Sequence, residues 1–442
     1  MRTLYNILFA IFFWLSSPYY FVRMWRRGNW LAGFPERFGH YDRKLKQALT
    51  NRQVLWLHAV SVGEVNLCTQ FIRALEPRLP NLKIVVSTTT TTGMAELQRR
   101  LPTHVSKIYY PVDLRKSVAR ALAVIHPKAI VLVEAEIWPN FIWRANQLGI
   151  PLFLVNARMS ARSFPRYKKF SFLFGPLFAS FTGIGAQNEE DAARLREIGC
   201  RAGAIRTVGN LKFDAAKLDE RHPFDVGAIL RQLDVPADAQ ILVAGSTHDG
   251  EEKILADAAR RLRARFPKLF LVLVPRHFER CREVGQQLRE LGVKFVYRNE
   301  ISARTQLRAG EVECLLVNTT GELKFFYECA TVVFVGKSLT ATGGQNPIEP
   351  GALGKPMVFG PNMQNFGDVT RNFLRQGGAL QVRGPEELEK VLGELLADEK
   401  LRAELGRNAL KVVRENLGAV ERTVEMILEN LKGSGIYFAP EK

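Results

Sequence analysis

The stretch Val54-Leu55-Trp56-Leu57-His58-Ala59-Val60-Ser61-Val62-Gly63-Glu64 decides the fold. Val54–His58 is a short apolar run of strand character, and Glu64–Leu75 is amphipathic at helical period and long enough for a crossover helix. The alternation continues with strand-like runs at Lys83–Thr88, Ala129–Glu134, Pro151–Asn156 and Gly183–Gln187, and with helical segments such as Arg115–Ile125 and Glu189–Ile198. Strands separated by crossover helices form a parallel sheet with right-handed connections. The polar stretch Asn210–Pro223, ending in Arg221, His222 and Pro223, interrupts the pattern, which then resumes with Ile241–Gly245, Leu269–Val274, Val293–Tyr297, Glu313–Val317, Thr331–Val335 and Pro356–Phe359. After Glu386 the chain reads as helical. The expected organisation is α/β, with two Rossmann-like domains over 31–212 and 227–415, a linker at 213–226 and a helical tail at 416–442. Neither a low-complexity segment nor a repeat at solenoid spacing is present.

A length of 442 residues, with 47% hydrophobic and 24% charged side chains, fits two folded domains of ordinary globular composition. The 62 Lys and Arg residues against 44 Asp and Glu give a net charge of +18, which calls for a polyanionic partner: nucleic acid, anionic lipid or a phosphorylated substrate. Cys68, Cys200, Cys281, Cys314 and Cys329 are scattered without a C-x-x-C pair, which indicates neither a zinc site nor a disulfide framework and fits a reducing, cytoplasmic setting. The segment 1–30 departs from the soluble pattern. Leu4–Val22 carries no charge and is about as long as the roughly 20 residues that cross a bilayer core. Arg23, Arg26 and Arg27 follow it, so the positive-inside bias keeps the body of the protein in the cytoplasm, and no A-x-A-like site marks a cleaved signal peptide. Pro18, with Trp14, Tyr19, Tyr20 and Trp25, also suits a helix lying in the interface.

Ligands of open parallel sheets bind beyond the carboxyl ends of the strands, so the residues after each run are candidates for function. The turn His58–Glu64, with Ser61 and Gly63, opens a helix and can present backbone N–H groups to an anion, or be a plain strand-to-helix turn. The hydroxyls of Ser87 and Thr88 to Thr92 can cap a helix or meet a sugar. Glu134 and Glu136 stand at a strand end as possible acceptors for sugar hydroxyls. In the second half, Gly245-Ser246-Thr247-His248 and Pro275-Arg276-His277 bring phosphate-binding side chains to two strand ends. Gly343-Gly344-Gln345-Asn346-Pro347-Ile348-Glu349-Pro350 joins a Gly pair to a helix expected near Pro347, with Glu349 in its first turn as a ribose acceptor. Three such strand ends in one domain point to a nucleotide site. No D-x-D triplet and no metal-spaced His/Asp cluster occurs, which points to basic side chains and helix N-termini holding a leaving group of low charge. Phe34-Pro35-Glu36-Arg37-Phe38-Gly39 sets a carboxylate among aromatic residues, where a raised pKa would suit a general base, though a Glu36–Arg37 surface pair has the same sequence.

Together these segments resemble the Kdo transferases of Gram-negative bacteria, which move 3-deoxy-D-manno-octulosonic acid (Kdo) from CMP-Kdo to the lipid A precursor. The resemblance spans nearly the whole chain. It rests on E-R-F-G at Glu36–Gly39, H-A-V-S-V-G-E at His58–Glu64, E-A-E-I-W-P-N at Glu134–Asn140, N-L-K-F-D at Asn210–Asp214, G-S-T-H at Gly245–His248, P-R-H at Pro275–His277, T-G-E-L at Thr320–Leu323 and G-G-Q-N-P-I-E-P at Gly343–Pro350. It implies a GT-B enzyme, two Rossmann-like domains facing a central cleft, inverting and independent of metal or cofactor. It further implies a base at Glu36, Glu136 and Lys212 in the cleft, and Ser246, Arg276 and Glu349 around CMP. Asn318 replaces an Asp common in the family, and Gln345 replaces a common His. The implied partners are CMP-Kdo, a phosphorylated glycolipid and the cytoplasmic face of the inner membrane. Two rival expectations are a UDP-sugar lipid transferase of the same architecture and a membrane-tethered RNA-binding protein; dispersed basic residues without an aromatic-basic recognition motif speak against the second.

Overall fold

Apolar runs too short for helices, each followed by an amphipathic segment, fold here as two all-parallel sheets. The computed structural model describes residues 2–26, 31, 33–134, 137–160, 163–216, 225–302, 305–308, 310–433 and 435–439. The chain divides into one unit of Met1–Ala215 with Gly418–Lys442, and a second of Ala216–Leu417.

In the first unit the described strands are β1 (Gln53–His58), β2 (Leu82–Thr88), β3 (Ser106–Tyr109), β4 (Pro127–Val133), β5 (Leu152–Ala157), β6 (Gly183–Ala186) and β7 (Ile205–Thr207), in the order β3-β2-β1-β4-β5-β6-β7. Side chains alternate across a strand, so Val54 and Trp56 of β1 enter one core with Ile130 and Phe141, while Leu55 and Leu57 enter another with Val86 and Val131. Both faces of β1 are therefore buried, which is why its sequence is continuously apolar. The Trp56 indole N–H is met by Ser87 Oγ at 2.8 Å. His58 is a core residue: fully buried, stacked on Tyr110 with centroids 3.8 Å apart, and pushed by burial to a pKa of about 3.

The helix Ala419–Leu431 belongs to this unit. Val424, Ile427 and Leu431 pack beside Leu57 and Val131, and Asp214 accepts the N–H groups of Gly418 (2.7 Å) and Val420 (2.6 Å). The second unit holds β8 (Gln240–Thr247), β9 (Leu269–Pro275), β10 (Phe295–Tyr297), β11 (Cys314–Leu316), β12 (Val332–Val335), β13 (Met357–Phe359) and β14 (Leu380–Gln381), ordered β10-β11-β9-β8-β12-β13-β14. Each sheet reverses its winding once, at β1/β4 and at β8/β12, and the crevice beyond such a reversal is where α/β folds bind ligands.

Leu4–Val22 lies within a helix, Arg2–Arg26, but among the described residues no helix is long and apolar enough to cross a membrane. Near its start, Tyr5 and Asn6 are used against the body of its own unit, whereas Ser16 and Ser17 bond the helix's own Phe13 carbonyl. Tyr5 donates to Asp113 (2.7 Å), Asn6 accepts from Asn140 (2.9 Å), and the Tyr5 and Phe9 rings meet Trp143 and Trp138 edge-on. Asp113 also accepts the N–H groups of Asn140 and Phe141, and burial pushes its pKa up to about 6 despite those donors. Leu4, Leu8, Ile11 and Leu15 remain exposed.

Replacing Asp214 with Ala strands one buried and one half-buried backbone donor and removes the brace of the last helix. Urea unfolding is expected to show a loss of roughly 2–3 kcal/mol, with faster proteolysis near Leu417; an unchanged midpoint would contradict this role for Asp214.

Candidate active site

The carboxyl edge of the first sheet is assembled from loops that hold one another. Glu36 begins the short 3-10 helix Glu36–Phe38, closed by Gly39 at φ 78°, and its Oε2 accepts the Tyr109 N–H at the end of β3 (2.8 Å). Arg37 anchors the same turn: its guanidinium donates to Thr89 O (2.7 Å) and lies 4.2 Å from the centroid of the Tyr109 ring. Burial raises the Glu36 carboxyl above the usual carboxylate range; the Tyr109 N–H and Arg37 pull it down and Asp42 pushes it up. A half-buried carboxylate with a raised pKa can take up a proton at neutral pH, as a general base must.

The turn after β1 is closed upon itself. Ser61 caps the helix Val62–Leu75 by accepting Glu64 N–H, while its own hydroxyl donates to Glu64 Oε1 and Glu64 Oε2 accepts Val60 N–H. The anion expected at this helix start is thus Glu64 itself. The spacing Ser-x-x-Glu is the sequence signal for this reciprocal cap. Gly63 is exposed, and a Cβ there would meet only Ser61 Oγ at 3.7 Å. Thr88 and Thr90 both donate to Val60 O, and Thr90 caps the next helix. Further along the edge, Glu134 and Asn156 hold left-handed backbones (φ 64° and 53°). Asn156 donates to Glu134 Oε1 (3.3 Å), and Lys212 Nζ stands 3.5 Å from the same oxygen. The backbone leading to Lys212 is fixed by Leu211 N donating to Asn156 Oδ1 and Lys212 N to Asn210 Oδ1. The expectation at Glu136 lies outside the described residues.

In the second unit, Ser246 (φ 54°) and Thr247 end β8, and Arg276 N donates to Thr247 O (3.0 Å), bringing the ends of β8 and β9 side by side. The Thr247 hydroxyl points inward, to Glu252 Oε1 at 2.9 Å, so it is the exposed Arg276 and His277 that present charge and donors outward. The His277 ring lies edge-on to His248, centroids 5.7 Å apart. Gly343 and Gly344 have φ 126° and 73°, and Gly344 N donates to Lys337 O (2.9 Å). Asn346 accepts the N–H of Ile348, the first residue of the five-residue helix Ile348–Ala352, and donates to Glu349 Oε1 (3.1 Å). Burial raises the Glu349 pKa; the bond from Asn346 and the charges of Lys324 and Arg276 lower it, which sets Arg276 within electrostatic reach of Glu349. This unit therefore gathers Ser246, Arg276, His277, Gly344, Asn346 and Glu349 at one sheet edge. Asn318 Oδ1 accepts Asn299 N–H, a bond an Asp would also make. Among the described residues no three His, Cys, Asp or Glu side chains are grouped so as to hold a metal ion.

The family profile described as 3-deoxy-D-manno-octulosonic-acid transferase (kdotransferase) matches residues 32–215. The chain is 32% identical to a 3-deoxy-D-manno-octulosonic acid transferase of Haemophilus influenzae, over 89% of this chain and 90% of the relative. It is 31% identical to one of Bordetella pertussis, over 93% and 96%. Among solved structures it resembles a UDP-GlcNAc 2-epimerase of Neisseria meningitidis bound to UDP-GlcNAc, with a TM-score of 0.55, 13% identity, and coverage of 85% of this chain and 100% of that one. That likeness concerns the fold.

A side chain at Gly344 would meet Met363 Sδ at 2.5 Å on a backbone that disfavours any Cβ. Gly344→Ala is expected to weaken nucleotide binding at least about tenfold, the equivalent of ~1.4 kcal/mol of strain, with the circular dichroism spectrum retained; unaltered binding would remove this loop from the site.

Proposed function

Because the chain belongs to the Kdo transferase family and is a glycosyltransferase, we propose that it transfers Kdo from CMP-Kdo to the lipid A precursor, with inversion and without a metal ion. The observation that carries the mechanism is the Glu36 carboxylate, raised by burial and oriented by the Tyr109 N–H. Glu36 takes the proton of the acceptor's primary hydroxyl as that oxygen attacks the anomeric carbon of Kdo from the side opposite CMP. The new carbon–oxygen bond forms as the bond to the CMP phosphate breaks, and the electron pair leaves on that phosphate. CMP departs with a single phosphate, whose charge basic side chains can stabilise. Arg276 serves the phosphate, with Ser246, His277, Gly344, Asn346 and Glu349 around the nucleotide. Lys212, steadied by Glu134, meets the sugar carboxylate, and Glu136 lines the acceptor side.

A membrane setting agrees with this acceptor. The helix Arg2–Arg26 docks by Tyr5, Asn6 and Phe9 while Leu4, Leu8, Ile11 and Leu15 face outward, which suits a helix lying at the lipid–water interface on the cytoplasmic side of the inner membrane. A net charge of +18 favours both an anionic surface and a phosphorylated glycolipid.

Glu36→Gln is expected to lower turnover by at least ~10² while CMP-Kdo binding persists. Gln retains the acceptor for Tyr109 N–H, so normal turnover in this variant would exclude Glu36 as the base. The base acts deprotonated, so the acid limb of kcat/KM should lie above the ordinary carboxylate range and fall as pH drops through the raised pKa. Stability has the opposite sign: a raised carboxyl pKa favours folding at low pH and that contribution is lost as pH rises. At pH 8 the Gln variant should therefore be at least as stable as the parent, and a lower Tm there would show a folding defect in place of a catalytic one. Thermal protection by CMP and not UDP is expected; the reverse would replace the donor.

A further inference from the structure

Glu251 and Glu252 open the helix Glu251–Leu262, and both are fully buried. A buried carboxylate requires compensating donors, and those of Glu251 are four backbone N–H groups. Its Oε2 accepts from His248 (2.9 Å) and Lys337 (2.7 Å), its Oε1 from Ser338 (2.8 Å) and Leu339 (2.9 Å). Lys337 has φ 56°, so three successive N–H groups just past β12 converge on one point. Such a concavity is a general anion site. Here it is filled by the chain's own carboxylate, reaching from the helix after β8 across the β8/β12 reversal.

Everything downstream in that segment hangs from the same point. Gly344 N donates to Lys337 O (2.9 Å), Gln345 N to Gly336 O (3.1 Å) and Asn362 N to Ser338 O (2.9 Å). Ser338 Oγ donates to Val335 O (2.6 Å) and accepts Gly360 N–H (2.9 Å). Thr340 Oγ1 adds a second tie to Asp249 O (2.6 Å), just before the helix that Glu251 begins. Backbones here are too close for side chains: a Cβ on Gly336 would meet Thr247 Cα at 2.6 Å. The segment 336–346 thus has few freedoms left, and the Glu251 carboxylate removes the first of them.

We infer that Glu251 is a positioning residue for the sugar-nucleotide donor: seated in the Lys337–Leu339 nest, it sets where Gly344, Asn346 and Glu349 stand without touching substrate itself. The inference rests on the donor reading given above. It places the cost of losing Glu251 on donor binding and leaves the chemical step to other groups.

The test compares CMP affinity, KM for CMP-Kdo and kcat in the full-length parent and in Glu251→Gln, after circular dichroism has shown both folded. Gln fills the same volume but turns an N–H2 toward N–H donors. The expected result is a rise in Kd and KM of roughly ten- to a hundredfold, as loss of charge-assisted bonds implies, with kcat changed far less. Glu251→Ala supplemented with formate or acetate should regain part of the CMP affinity, because a small carboxylate can re-enter the nest. If Glu251→Gln does not fold, Thr340→Val decides; Thr340 is exposed and its loss loosens the same segment, raising KM several-fold. Unchanged Kd and KM in folded Glu251→Gln, or in Thr340→Val where the first variant fails to fold, overturns the positioning role. A parent protein that binds UDP and not CMP defeats the donor reading instead, and the same comparison run with UDP then decides the role of Glu251.

Discussion

At the carboxyl edge of a parallel sheet the backbone N–H groups of the loops have no further strand to pair with, and each one buried unmet costs about 1–3 kcal/mol. This chain meets that demand with carboxylates. Glu36 serves Tyr109, Glu64 serves Val60, Asp113 serves Asn140 and Phe141, Asp191 serves Met159, Asp214 serves Gly418 and Val420, and Glu251 serves four donors at once. Most of these bonds join segments far apart in sequence. They stiffen the loops at the carboxyl edges of both sheets, where Lys212, beside Glu134, and the exposed Arg276 add positive charge.

The central strands were legible because they are buried on both faces: β1, β2, β4, β5, β8 and β9 are long apolar runs whose bounds agree with the sequence reading to within about two residues. Of the edge strands, β10 was legible at Val293–Tyr297, and the other three were not. β3 is Ser-Lys-Ile-Tyr, β7 is Ile-Arg-Thr and β14 is Leu-Gln, too short and too polar to show a period, and they exist because a neighbouring strand already offers its edge. Leu4–Val22 was expected to be long enough to cross a bilayer. Asn6, Ser16, Ser17 and Pro18 interrupt the apolar character of its helix, and Tyr5 and Asn6 are committed to Asp113 and Asn140.

The site divides the same way. The raised carboxyl at Glu36 that the sequence suggested is present, through burial, and the strand-end motifs of the second unit do come to one edge. The commitments of hydroxyls were harder to see: Ser61 turns to Glu64 and Thr247 to Glu252, although Ser-x-x-Glu announces the first. Glu251 could not be found at all. An acidic residue in the first turn of a helix ordinarily complements the helix dipole at the surface, and its burial here depends on the backbone of Lys337, 86 residues later.

Transfer of Kdo leaves its record in the mass of the glycolipid product. The intact protein is incubated with CMP-Kdo and the tetra-acylated lipid A precursor, and the glycolipid is analysed by mass spectrometry. The acceptor is expected to gain one or more whole Kdo residues with stoichiometric release of CMP, which also counts the sugars added. An acceptor of unchanged mass under these conditions, gaining a sugar from a UDP-linked donor instead, would contradict it.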